Sequence, residues 1–281
     1  LDMGFLDMEE FKDLHLTVDV FKEVLSKTEF FNLSAGIVLQ AYLPNSYSYL
    51  QNLTKWAIQR VQNGGAPIKI RIVKGANMEM EKLESEIKNW PLATYRKKIY
   101  TDANYKRMLD FALQKQHTVA VKIGVASHNL FEQAFAYELA VQNDILQDLT
   151  IEMLEGMANT TAKVLHQYHP NILLYTPVVQ KEHFLSAIAY LVRRLDENTQ
   201  MENFLSYSFA LKTDSEQWQF LSTQFTNSFH QKNTLQRESY RDQNRLNEEL
   251  NWPILKAHDN FWNIADTDWV LQANQTWANQ I

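Results

Sequence analysis

Three observations predict an α/β fold: six short apolar or β-branched runs between residues 5 and 175, helix-spaced segments between them, and polar side chains where the runs end. Strand and helix in alternation imply parallel strands joined by right-handed crossovers. Six such strands fit either an open doubly wound sheet or most of a (β/α)8 barrel. The polar ends decide between the two. Asp7, Gln40 with Tyr42, Arg71 with Lys74, His128 with Asn129, Glu155 and Tyr175 would all meet at one mouth in a barrel. An open sheet gathers only those beside its switch point. A TIM-like barrel is the predicted architecture.

The elements follow in order. Residues 5–8 read as a first strand close to the chain start, then 36–42, 68–73, 119–125, 149–154 and 172–175. Leu50, Leu53, Ala57 and Val61 share one helix face, as do Leu130, Ala134, Tyr137 and Val141. Leu185, Ile188, Leu191, Val192 and Leu195 form a further apolar helix face. Residues 1–205 are read as the barrel. Residues 213–281 are rich in Asn, Gln and Trp and show no strand-like run, with Pro253 breaking the helices expected there. Their spaced Trp and Phe side chains favour a segment that docks, so 206–281 is read as a mainly helical connector.

Composition narrows the function. The 281 residues carry 27 Lys and Arg against 33 Asp and Glu, a formal charge of −6 that argues against wrapping nucleic acid. No cysteine is present, which excludes disulfides, thiolate metal sites and thiol nucleophiles. No apolar run approaches the roughly 20 residues that cross a bilayer. The opening Leu1-Asp2-Met3-Gly4 has no basic region, so no secretory signal is expected; nor does it resemble a natural start, because strand-like sequence begins almost at once. Only 7 glycines occur, none in a phosphate-cradling pattern, so any nucleotide must be held another way. His166 and His169 lack a third ligand in reach, and no metal is expected. Without a G-x-S-x-G elbow, a serine triad is unsupported.

Three segments could carry chemistry. In residues 190–198, Arg193 and Arg194 project about 100° apart on a helix, and Glu197 can brace either one. They read either as a solvated charged face or as a guanidinium clamp for a small carboxylate. Arg71 alternates with apolar residues in its strand, so it points into the barrel or lies at its rim and needs an anionic partner there. That partner is Asp7, Glu152 or a ligand. Lys74-Gly75 opens the following loop, where glycine permits close approach of backbone to a ligand. Ser127-His128-Asn129 begins a helix, as a plain cap or as an anion site with a histidine donor.

Read together, these segments resemble the proline dehydrogenase family, most nearly the proline dehydrogenase half of bifunctional proline-utilization enzymes. The resemblance rests on Leu6-Asp7-Met8-Glu9-Glu10, Leu39-Gln40-Ala41-Tyr42, Ile70-Arg71-Ile72-Val73-Lys74-Gly75-Ala76, Ser127-His128-Asn129, Leu174-Tyr175-Thr176-Pro177-Val178 and residues 189–198, in family order. It implies a distorted (β/α)8 barrel that holds FAD without a Gly-rich fingerprint and oxidises L-proline to Δ1-pyrroline-5-carboxylate. Electrons would pass to membrane quinone, which implies a cytoplasmic enzyme with peripheral contact at the inner face of the membrane. Ala265-Asp266-Thr267-Asp268-Trp269 resembles the run that leads into an aldehyde dehydrogenase domain downstream in the same chain.

By matching position, Arg193 and Arg194 would clamp the proline carboxylate, with Tyr175, Tyr190 and Leu154 shaping the ring pocket and Asp7 beside the substrate. Arg71 would lie near flavin N5. Gln40, Val73, Lys74, Gly75, Ala76, Ser127, His128, Asn129, Glu152 and Met153 would line the FAD, with Lys98 a phosphate partner. Glu197 would brace the arginines and the ribityl chain. Hydride transfer from proline C5 requires a neutral amine, so the rate should rise toward alkaline pH. Two departures stand out. The first barrel strands, and a substrate-binding lysine on the second, have no counterpart here; the chain is expected to be an N-terminally truncated barrel, from about the third strand onward. Asn77-Met78 also replaces the Tyr-Trp of many members. Two other readings stay open: a non-catalytic barrel fragment, and a barrel oxidoreductase for another small amino or hydroxy acid.

Overall fold

Alternating apolar residues give each strand one face for the core and one for chemistry, and the sheet is built on that alternation. The computed structural model describes residues 4–199, 203–208, 211–248 and 264–281. Its strands are β1 (Phe5–Leu6), β2 (Gly36–Gln40), β3 (Ile68–Val73), β4 (Val121–Ala126), β5 (Leu149–Leu154) and β6 (Ile172–Tyr175). They form one parallel sheet in sequence order, β1 to β6. A doubly wound sheet must reverse its order somewhere, and this one never does. Right-handed crossovers therefore place the helices on one side, and the sheet curls around the other as a half-barrel.

Ile68, Ile70 and Ile72 turn outward and are fully buried under the helices, as are Ile37, Leu39, Ile123, Val125 and Ile151. Each such side chain contributes about 1.5–3 kcal/mol of burial. The covering helices are α1 (Phe11–Ser26), α2 (Ser46–Gln62), α3 (Met78–Lys88), α4 (Lys98–Ala112), the short α5 (Lys115–Thr118), α6 (Leu130–Gln142), α7 (Asn159–Tyr168) and α8 (Phe184–Thr199). Leu50, Leu53 and Ala57 of α2 and Met108 and Leu109 of α4 fill the space above the strands. Lys69, Arg71 and Val73 of β3 take the alternate positions and face the concave side.

The structure departs from sequence expectation at four elements. β2 ends at Gln40, because Ala41 and Tyr42 already turn into the following loop. β1 spans two residues, because Gln40 draws the Met8 carbonyl away from the sheet and Met8 is buried. β4 starts at Val121, because the α5 turn holds Val119 in a helical conformation and the Ala120 N–H donates to His117 O. Along the apolar face of α8, Leu185, Ile188, Leu191 and Val192 are exposed. The outer edge of β6 pairs with no other described strand.

Residues beyond the sheet pack on its helices. In α10 (Glu216–Gln231), Trp218 and Phe225 meet Phe131, while Phe225 and Phe229 meet Phe135. The polar stretch that follows is irregular, but Arg241 is buried: it donates to Asp268 at 2.7 Å and lies 4.0 Å from the Trp90 ring centroid. A short α9 (Leu205–Ser208) and α11 (Gln272–Ala278) complete the described helices. Among the described residues no helix is long and apolar enough to cross a membrane. Pro253 lies outside the described residues.

Candidate active site

The concave face concentrates charge where β3 and β5 end. Arg71 donates from Nε to Glu152 Oε2 at 2.8 Å and from Nη1 to Asp7 Oδ2 at 3.2 Å. Both expected protein partners are therefore used. Glu152 is fully buried, and its other oxygen lies 2.7 Å from Lys69 Nζ. The guanidinium carbon of Arg71 sits 4.2 Å from the Tyr175 ring centroid and 4.7 Å from that of Phe5. Burial works against the Arg71 charge, and Glu152, Tyr175 and Asp7 more than offset it. Tyr175 stays protonated: burial and the Glu152 charge push its hydroxyl up to about 12 despite Arg71.

The loop after β3 forms the next wall. Gly75 has φ of 128°, in the region that favours glycine, and a Cβ there would stand 2.5 Å from the Tyr42 ring. The backbone thus lies flat on Tyr42, tied by Tyr42 N–H to Lys74 O at 2.8 Å. The β1–α1 loop closes the rim: Tyr42 Oη and Asn77 Nδ2 both donate to Glu9 O at 3.1 Å. Asn77, where many relatives are expected to carry Tyr, is a buried strut between two rim loops.

Lys74 leads into a buried ion cluster. Its ammonium contacts Asp102 at 2.5 Å and Glu132 at 3.2 Å; Lys98 meets the other Asp102 oxygen at 2.5 Å, and the fully buried Lys106 meets Glu132 at 2.8 Å. Burial pulls the Lys74 ammonium down, but Asp102 and Glu132 outweigh it and leave it raised.

At the end of β4, His128 Nε2 accepts the Leu154 N–H at 3.2 Å, so its proton sits on Nδ1. Burial, helped by the Arg194 charge, pushes this imidazole down to about 4, so it is neutral at physiological pH. The buried Nδ1–H has no partner among the described residues, and the same holds for Gln40 Oε1. Asn129 turns away to cap α6, accepting the Phe131 N–H at 3.0 Å.

These groups surround one cleft of about 350 Å³, within the usual range of ligand sites, about 300–1,000 Å³. Asp7, Gln40, Arg71, Val73, Lys74, Gly75, Ala76, Ser127, His128, Glu152, Met153, Leu154, Tyr175, Tyr190 and Arg194 all line it. Arg194 lies over the Tyr190 ring at 4.8 Å, inside the mouth that Arg71 and His128 share. Asn129 and Lys98 do not line the cleft. The side chains of Arg193 and Glu197 lie outside the described residues. Val38 and Ala126 line it without having been singled out, although each is two residues from another inward position and period-two counting reaches both. Among the described residues no cluster of His, Asp and Glu could hold a metal ion.

A family model, proline dehydrogenase, matches residues 3–207. Among solved structures, proline utilization A from Corynebacterium freiburgense superposes with a TM-score of 0.81 at 40% identity, covering 98% of this chain and 25% of that one. Proline utilization A from Bdellovibrio bacteriovorus, inactivated by N-propargylglycine, gives 0.79 at 30% identity, covering 99% and 26%. A Bradyrhizobium japonicum proline utilization A, at 22% identity and 0.66, covers 80% and 22% and shares the fold. The chain thus spans about a quarter of the length of the structures it matches. No curated protein matches it in sequence.

Proposed function

Since the chain belongs to the proline dehydrogenase family, we propose that it forms the site at which a proline utilization enzyme oxidises L-proline to Δ1-pyrroline-5-carboxylate with FAD. One observation carries this reading: Arg194, Arg71 and a neutral His128 enter one cleft from three separate elements. The residues fit a flavin. His128 Nδ1–H is a buried donor and Gln40 Oε1 a buried acceptor, both unpartnered among the described residues, and an unpartnered buried polar group costs about 1–3 kcal/mol. A ligand with both hydrogen-bonding functions relieves that cost.

Gln40, Val73, Lys74, Gly75, Ala76, Ser127, His128, Glu152 and Met153 would hold the cofactor, with Lys98 toward its phosphates and Asn129 acting only as the cap that starts α6. Bound FAD would supply the hydride acceptor for proline C5 and pass electrons to quinone. Everything else falls to this chain's side chains. Arg194, with Arg193, would fix the substrate carboxylate through charge-assisted bonds, braced by Glu197. Tyr175, Tyr190 and Leu154 would pack on the ring, and Asp7 would lie beside it. Holding the carboxylate orients C5, an effect worth several kcal/mol when geometry is tight. In the whole enzyme the remaining strands of a (β/α)8 barrel would seat on the open β6 edge and the exposed apolar residues of α8. The segment through Asp266 and Asp268 would lead into an aldehyde dehydrogenase domain, the whole working in the cytoplasm with contact at the inner membrane face.

Arg194→Ala should weaken binding of a cyclic acid analogue of proline at least tenfold, the loss of a contact of about 1.4 kcal/mol or more. Competition binding to the FAD-loaded enzyme measures it, and equal affinities in variant and wild type would remove Arg194 from the substrate site. The rate with proline should rise with pH along a single limb. His128, near 4, and Tyr175, near 12, keep one charge state between pH 6 and 9, so the limb belongs to the substrate amine. A descending limb in that interval in kcat/KM would contradict this assignment.

A further inference from the structure

We propose that Lys69 is a positioning residue for the redox site: it shares the Glu152 carboxylate with Arg71, so that Arg71 keeps its cationic character toward the cleft. The proposal rests on the FAD-dependent reading above. Lys69 does not line the cleft, so it acts through Glu152 alone. Its ammonium lies 2.7 Å from Glu152 Oε1, and Arg71 Nε lies 2.8 Å from Oε2. One carboxylate therefore pairs with two cations, one on each oxygen: Arg71 through a hydrogen bond and Lys69 as an ion pair without hydrogen-bond alignment.

The surroundings are arranged around this pair. On β2, Gly36 is in register with Lys69, and a Cβ there would come within 2.2 Å of the Phe5 ring. That ring lies 5.7 Å from Lys69 Nζ and closes over it. On β4, Gly124 is in register with Arg71, and a Cβ there would stand 2.2 Å from Glu152 Oε1 and 3.3 Å from Lys69 Cε. Both flanking strands thus leave out a side chain where the pair needs room. The neighbouring cation, Lys122, is in register with Lys69 but gives its charge to Asp148 at 2.5 Å. Glu152 is left to Lys69 and Arg71.

Within the quartet the charges balance: Lys69 and Arg71 face Glu152 and Asp7, two against two, with a neutral His128 and a protonated Tyr175 nearby. Around it, Glu9 adds negative charge beside Asp7, Lys74 is held by Asp102 and Glu132, and Arg194 acts on His128. Without Lys69, Arg71 would answer two carboxylates alone, and the quartet would carry one net negative charge. A ring system that gains electron density on reduction is disfavoured beside such a charge.

The test uses FAD-loaded full-length enzyme carrying Lys69→Met, Lys69→Arg, Glu152→Gln, or Lys69→Met with Glu152→Gln. The readouts are the midpoint potential of the bound flavin and the anaerobic rate of flavin reduction by proline. Lys69→Met should shift the potential negative and slow reduction at least tenfold, with a smaller change in KM. Glu152→Gln should shift it positive, Lys69→Arg should restore most of the rate, and the double variant should return the potential toward wild type. If Lys69→Met does not load flavin, the double variant decides, because it should load as Glu152→Gln does. A wild-type potential in Lys69→Met, or a double variant no closer to wild type than Lys69→Met, overturns the proposal. Wild-type enzyme that binds flavin but is not reduced by proline defeats the activity reading while the potentials still decide Lys69; absence of flavin binding defeats both.

Discussion

Replacing Asp102 with Asn is expected to destabilise the fold by about 3–5 kcal/mol, because it strips a buried ion cluster of one of its two carboxylates. Lys74, Lys98 and Lys106 would then face Glu132 alone. Lys106 is fully buried and cannot turn to solvent, and its own ammonium is already pulled down by burial. The effect has a definite pH signature. Burial raises the Asp102 carboxyl, but Lys74, Lys98 and Lys106 outweigh it and hold it well below the usual carboxylate range. A group depressed in the folded state contributes stability that is fully present above its unfolded pKa, near 3.9, and is lost as pH falls toward the folded value. The gap between wild type and Asp102→Asn in urea unfolding should therefore be constant above about pH 5 and narrow below about pH 4. A gap under about 1 kcal/mol at neutral pH would mean that the lysines find other partners.

Glu152→Ala should be comparably costly, again about 3–5 kcal/mol, because two buried cations lose their shared counter-charge at once. Lys69 and Arg71 have side chains only 10% and 11% exposed, too little for water to replace a carboxylate. Asp7, at the rim and 61% exposed, is a weaker partner for Arg71. Glu152→Gln keeps a single acceptor oxygen, enough for one of the two cations, and should cost less than Glu152→Ala. Equilibrium unfolding of the two variants measures the difference. Equal stabilities would show that charge, rather than hydrogen bonding, is what Glu152 supplies.

The strand faces were legible because alternation is a property of the strand itself: once Ile68, Ile70 and Ile72 face the helices, Lys69, Arg71 and Val73 must face the other way. Arg71 then required an anion, and both candidates in the sequence, Asp7 and Glu152, bind it. The absence of order reversal, which separates a curled sheet from a doubly wound one, followed from where the polar strand ends fall. What sequence reasoning could not reach depends on contacts between segments far apart in the chain. Lys69 looks like any strand lysine until Gly36 and Gly124 are seen to make room around it. The strut from Asn77 to Glu9 spans 68 positions. Asn129 could have faced a ligand or its own helix, and cap geometry turned it to the helix. The apolar stripe of α8 was readable as a packing face, yet Leu185, Ile188, Leu191 and Val192 stand exposed along it.

The most direct measurement is the visible spectrum of the FAD-loaded enzyme during anaerobic titration with L-proline. The account predicts flavin bands that bleach as proline is added, and that bleach far less with Arg194→Ala at the same concentration. Bands that persist with proline but fade with another small amino or hydroxy acid would contradict the substrate assignment, and a protein that takes up no flavin would contradict the cleft's proposed purpose.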